Sequence, residues 1–132
     1  MKFRLLMASS FLFFAVTAGA ADSTGNFNVG GGTGGVKCPN FVAEMEKARS
    51  LGIDSPRYVE ATQGFTMFIL GFQTGYNMMA PATYDIFSGK NGDYDLLAWV
   101  ENYCRMNSSS RFGDGVVALA RHFHPNRQQS NE

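Results

Sequence analysis

The apolar and polar positions along this chain recur with helical period, and the longest such run spans residues 58–79. It reads YVEATQGFTMFILGFQTGYNMM, carries no charge after Glu60, and is followed by its next charge only at Asp85. Ser55-Pro56 supplies a start, with a serine N-cap and a proline in the first turn, where no amide bond is lost. Ala80-Pro81 supplies the stop. At 100° per residue, Tyr58, Ala61, Phe65, Phe68, Phe72, Tyr76 and Met79 share one face. Gln63, Thr66, Gln73 and Asn77 share the opposite face, and Gly64, Gly71 and Gly75 line a flank between them. A membrane span is apolar all round, whereas this helix has a polar stripe. The central helix of a soluble bundle is therefore the preferred reading. A transmembrane helix is the second, because Gly71 and Gly75 match the G-x-x-x-G dimer motif. Each glycine costs about 0.8–1 kcal/mol of helix propensity. That cost implies a packing reason, and close approach of another helix at Gly64, Gly71 and Gly75 is the expected one.

The flanking segments predict three shorter helices. Cys38-Pro39 opens the first, with Phe41, Met45 and Ala48 on its buried stripe and Gly52 as its C-cap after Leu51. Residues 83–92 form a connector in which Ile86 and Phe87 plug the core, and Asn91-Gly92 is a turn signal. Asp93 or Asp95 caps a third helix, whose stripe is Leu96 or Leu97, Val100, and Tyr103 or Cys104. Trp99 is expected at the edge of the core. Residues 107–110 are polar and are expected to cap a fourth helix, in which Phe112, Val116, Leu119 and Phe123 are helically spaced. Pro125 ends it. The expected fold class is all-α: a small four-helix domain over residues 38–124, followed by a polar tail at 125–132.

The N-terminus changes the compartment. Met1-Lys2-Phe3-Arg4 is a basic n-region, residues 5–16 are an apolar h-region, and residues 17–20 end in an A-x-A pattern. This is the layout of a signal peptide cleaved after Ala20, and the h-region is too short to span a bilayer. Export to the periplasm is the expected localisation. Residues 21–37 are glycine-rich with no core-forming pattern and read as a disordered leader. No strand precedes them and no GK[ST] follows, so they do not form a phosphate loop. An even pair of cysteines in an exported chain, Cys38 and Cys104, predicts a disulfide. For a loop on the order of 70 residues, the chain-entropy model assigns such a bridge about 4 kcal/mol.

Charge and chemistry narrow the function. Losing Lys2 and Arg4 takes a balance of 11 basic and 11 acidic residues to about −2, which gives no electrostatic case for nucleic acid or for an anionic membrane. His122 and His124 are two apart, so on a helix they point away from each other and cannot chelate one ion. Histidines at a helix C-terminus suit its dipole. The serines at 108–110 lie in no G-x-S-x-G or S-x-x-K motif, and the carboxylates are scattered singly. The expectation is a non-enzymatic protein without metal or cofactor. What remains is surface. Phe65, Phe68, Phe72, Tyr76 and Met79 are read mainly as core, and in part as a candidate homodimer or client surface, because methionine is common on promiscuous surfaces.

Two short blocks carry a resemblance. Cys38-Pro39-Asn40-Phe41 resembles the C-x-x-F that opens the HdeA/HdeB-like periplasmic acid-stress chaperones. Val100-Glu101-Asn102-Tyr103-Cys104-Arg105-Met106-Asn107, with Phe112 beyond it, is similar to that family's V-x-x-Y-C-x-x-N segment and downstream aromatic. The likeness spans roughly residues 38–123. It implies a small helical fold, a single disulfide joining Cys38 to Cys104, a dimer at neutral pH, and acid-triggered exposure of apolar surface that holds unfolded periplasmic clients. In strong acid the exported chain approaches about +12, which loosens a compact state. The glycine-rich leader, the glycine-lined second helix, and Ser108 where the family often has proline are departures. They leave open an alternative: a periplasmic immunity or inhibitor protein of the Tai type, which occludes one specific partner protein.

Overall fold

The computed structural model describes residues 26–53, 55–89 and 93–130. The expected signal peptide, the first part of the expected leader and the expected Asn91-Gly92 turn lie outside the described residues. Four α-helices order the described residues: α1 (Cys38–Arg49), α2 (Pro56–Met79), α3 (Asp93–Met106) and α4 (Phe112–Phe123). Two 3-10 turns flank them, at Gly32–Gly35 and His124–Asn126. Among the described residues the only extended pairings are isolated antiparallel bridges, Lys37 with Arg111 and Asp85 with Gln128.

The helix boundaries follow from local chemistry. The Ser55 hydroxyl accepts the Tyr58 amide at 3.1 Å and Pro56 opens α2. Pro39 sits in the first turn of α1. That helix ends at Arg49, two residues before the expected stop, and the chain then turns through Gly52, whose φ of +90° only glycine adopts without strain. The serines before α4 do not cap it, contrary to expectation. Asp114 reaches back instead to accept the Arg111 amide at 2.8 Å, and the negative charge suits the helix N-terminus. Asn107 is used at the other helix end, donating to the Tyr103 carbonyl at 2.8 Å.

The core lies where all four helices meet. Phe41, Met45 and Ala48 of α1, Leu96, Leu97, Val100 and Cys104 of α3, and Phe112, Val116 and Leu119 of α4 are buried, as their spacing predicts. Ile86 and Phe87 of the connector are buried with them. The Cys38–Cys104 disulfide closes at 2.04 Å and joins α1 to α3. Phe112 sits at the centre of an aromatic cluster, with ring centroids 4.6 Å from Phe41, 4.9 Å from Phe65 and 5.6 Å from Phe68. Offset and edge-on contacts of this kind add about 0.5–1.5 kcal/mol each beyond the area they bury.

Two segments read as loose in sequence are ordered. Leader residues 26–37 run across α2 and α4 with Gly34 buried, rather than lying free. The Val36 carbonyl accepts the Phe112 amide at 2.8 Å, and the Cys38 amide donates to Ser110 at 2.9 Å. The C-terminal tail is tied to the connector: Gln128 exchanges backbone bonds with Asp85, and Arg127 Nε donates to Thr83 Oγ1 at 2.9 Å. Backbone pairing contributes to the hold on both, and hydropathy patterning gives no sign of it.

Candidate functional site

Helix α2 is the element with the most exposed apolar surface, and its orientation decides what that surface contains. Its buried line is Tyr58, Thr62 and Ile69. Phe65, Phe68, Phe72 and Tyr76 lie half-buried beside that line and pack against the core. The apolar face expected from the sequence is thus rotated toward Ile69. The polar stripe accounts for the difference. Gln73 donates to Asp85 Oδ1 at 2.7 Å, and Asn77 Oδ1 accepts the Ile86 amide at 2.9 Å. These groups turn inward to hold the connector, where they satisfy polar atoms that burial would otherwise leave unpaired. Thr62 turns inward too and donates to the Tyr58 carbonyl at 2.9 Å.

The rotation leaves the glycine flank facing outward. A Cβ added at Gly71 or Gly75 would meet nothing within 4 Å, and one at Gly64 would meet only Thr33 Oγ1 at 3.7 Å. Among the described residues, then, no α-helix packs close to these three glycines, contrary to the expected close approach there. Met67 and Met78 stand exposed on the same outer side, Val59 is exposed near the start of the helix, and Met79, expected on the aromatic row, is 81% exposed at the helix end. The uncharged stretch after Glu60 thus presents an open apolar surface to solvent. Among the described residues no helix is long and apolar enough to cross a membrane.

Charged chemistry gathers on the other side of the molecule, between α1 and α3. Glu101 is 5% exposed and is not an isolated carboxylate. Arg49 grips it with both terminal nitrogens, at 2.6 and 2.8 Å, and Arg105 Nη2 donates to it at 2.6 Å. The same Arg105 nitrogen donates to Glu46 at 2.8 Å. Burial pushes the Glu101 carboxyl up, but the hydrogen bonds and charges of Arg49 and Arg105 outweigh it and hold the group below its ordinary value. Sequence reading missed this cluster, although Glu101 and Arg105 stand one helical turn apart. A shallow groove of about 350 Å³ beside it is lined by Pro39, Val42, Cys104, Arg105 and Ser108. Arg105 is its one charged group, and it holds no pairing of nucleophile and base.

The histidines take structural partners. His124 Nδ1 lies 2.8 Å from the Tyr76 hydroxyl, joining the end of α4 to α2. His122 packs on Trp99 at 5.4 Å, and Trp99 in turn stacks on Tyr103. Among the described residues no three His, Cys, Asp or Glu side chains converge as metal ligands. Comparison with protein-family models, with curated proteins and with solved structures gives no match.

Proposed function

We propose that the chain is a non-enzymatic exported stress protein that holds unfolded periplasmic proteins on apolar surface exposed in acid. The observation that carries this reading is the outer face of α2. Val59, Met67, Met78 and Met79 are exposed on a helix with no charge between Glu60 and Asp85. Such a face suits varied apolar segments, because methionine side chains adapt their shape. The half-buried row from Phe65 to Tyr76 is the reserve that loosening would add. Acid supplies the loosening. As carboxylates protonate, the exported chain gains net positive charge, which opposes compactness and keeps a complex with a client soluble. The disulfide holds α1 to α3 throughout.

Light scattering of an aggregating periplasmic protein at pH 2–3, with and without the mature chain, tests the proposal. Suppression of aggregation is expected, and unchanged scattering at several-fold molar excess sinks it. Pull-down at neutral pH tests the alternative. One stoichiometric partner there, with no acid activity, favours an inhibitor that occludes a single protein.

A further inference from the structure

The glycine-rich segment at residues 26–36 contains no charged residue, and its Gly32–Gly35 turn packs on α2 and α4 beside Phe68. It crosses the groove between α2 and α4, where Phe68 and Phe112 form the floor. Gly34 fits because it lacks a side chain: a Cβ there would lie 2.6 Å from Phe68 Cε2 and 2.7 Å from Cζ. Gly113 on α4 is the matching small residue, since a Cβ there would collide with Val29 Cγ1 and lie 2.9 Å from the Gly34 carbonyl oxygen. Gly32, at φ +67°, makes the bend that drops the segment into the groove. The Phe112 amide donates to the Val36 carbonyl at 2.8 Å and anchors the end of this segment to α4. The strap is thus held by shape, by that backbone bond, and by the Phe27 ring, over which the Arg121 guanidinium sits at 5.9 Å. Only Gly34 of the segment is fully buried, and a segment with most of its residues partly or fully exposed opens at lower free-energy cost than the helices.

We propose that residues 26–36 are a built-in plug, and that the groove they fill is a binding site for a glycine-containing turn segment with small apolar side chains. The strap shows what the groove accepts: a tight 3-10 turn, glycine at the narrowest point, and valine on either side. Displacing it uncovers Phe68 and Phe112 without melting an α-helix. An incoming client segment of similar chemistry competes with the strap for the same floor. Only the identity of that incoming segment rests on the client-holding reading; release of the strap does not.

The test uses the full mature chain carrying Gly34→Leu, together with a variant lacking residues 26–35. At neutral pH both are expected to bind the dye ANS several-fold more strongly than the parent, with unchanged helical circular dichroism and faster hydrogen exchange at the Phe112 amide. A synthetic peptide of residues 26–37, added to the shortened variant, is expected to reverse the dye binding, and the same peptide carrying Gly34→Leu is not. Unchanged dye binding in Gly34→Leu, or a peptide without effect on a folded shortened variant, overturns the proposal. If the shortened variant does not fold, Gly34→Leu decides alone. Strap release accompanied by no capture of clients in acid would refute the chaperone reading and leave the plug standing.

Discussion

The Arg49 guanidinium grips the Glu101 carboxylate with two hydrogen bonds, of 2.6 and 2.8 Å, across the seam between α1 and α3. Glu101 is almost completely buried, whereas the Arg49 side chain keeps 30% exposure. Removing the arginine therefore leaves a buried negative charge with Arg105 as its remaining partner. Breaking a buried pair costs about 3–5 kcal/mol, and the surviving Arg105 contact places Arg49→Ala near the lower end. Urea melts at pH 7 should show a loss of about 3 kcal/mol. A loss below 1 kcal/mol would mean that water reaches Glu101 and that the pair acts as a surface contact.

The same pair makes stability depend on pH in a defined direction. The folded Glu101 carboxyl lies below its ordinary value of 4.5. Its contribution is fully present above that ordinary value and is lost as pH falls through the lower folded value. The gap in urea midpoint between the parent and Glu101→Gln should be constant from pH 7 to about pH 5 and shrink below that. A gap that widens on acidification would reverse the sign and remove Glu101 from any account of acid loosening.

The disulfide is expected to matter more when the ion network is lost, because apolar packing is then its main partner in holding α1 to α3. For a loop on the order of 70 residues, Cys104→Ser should cost about 4 kcal/mol at neutral pH. Reduction of the parent by dithiothreitol, followed by a thermal melt, should reproduce that loss. Equal melting of oxidised and reduced protein would show that the bridge adds nothing to the packing of Phe41 and Val100 around it.

The glycines should divide into two groups by what surrounds them. At Gly71 and Gly75 a Cβ meets open space, so Gly→Ala should stabilise the isolated chain by about 0.5–1 kcal/mol through helix propensity. At Gly115 a Cβ would lie 2.8 Å from Val100 Cγ1 and 3.0 Å from Tyr103 Cδ1, so Gly115→Ala should destabilise by about 1–3 kcal/mol as overpacking does. Gly71→Leu adds a readout of assembly. If it raises the thermal midpoint yet shifts the chain to a smaller species in size-exclusion chromatography, a second copy packs on this flank. If the midpoint rises and the elution volume does not change, the flank is free surface.

Much of this architecture is legible from residues alone, and the exceptions share a cause. Ser55-Pro56 and Ala80-Pro81 mark the ends of α2 because capping and proline sterics act over one or two residues. The stripes of α1, α3 and α4 are legible because one face of each is buried among apolar neighbours. The face of α2 is harder to place. Gln73 and Asn77 look like solvent positions in a periodicity plot, but the structure turns them inward to bond Asp85 and Ile86. No local signal announces a polar side chain whose partner lies in a connector. The ordered strap escapes notice for a related reason. Its hold depends on what Gly34 lacks and on a carbonyl meeting Phe112, and neither appears in hydropathy. The ion cluster spans α1 and α3, so only its Glu101–Arg105 half is visible along the chain.

The candidate surface can be tested separately from the fold. Met67, Met78 and Met79 are exposed by 59%, 78% and 81%, so replacing all three with serine should change stability by less than about 1 kcal/mol. The same triple variant should suppress client aggregation at pH 2–3 several-fold less well than the parent, since it makes the outer side of α2 polar. Met106, 78% exposed on α3, provides the control: Met106→Ser removes a methionine of similar exposure from a different helix and should leave suppression intact. Equal loss in both variants would point to general surface hydrophobicity rather than to α2. Full activity in the triple variant would move client binding off the outer face, leaving the half-buried row of Phe65, Phe68, Phe72 and Tyr76 as the surface that acid must uncover.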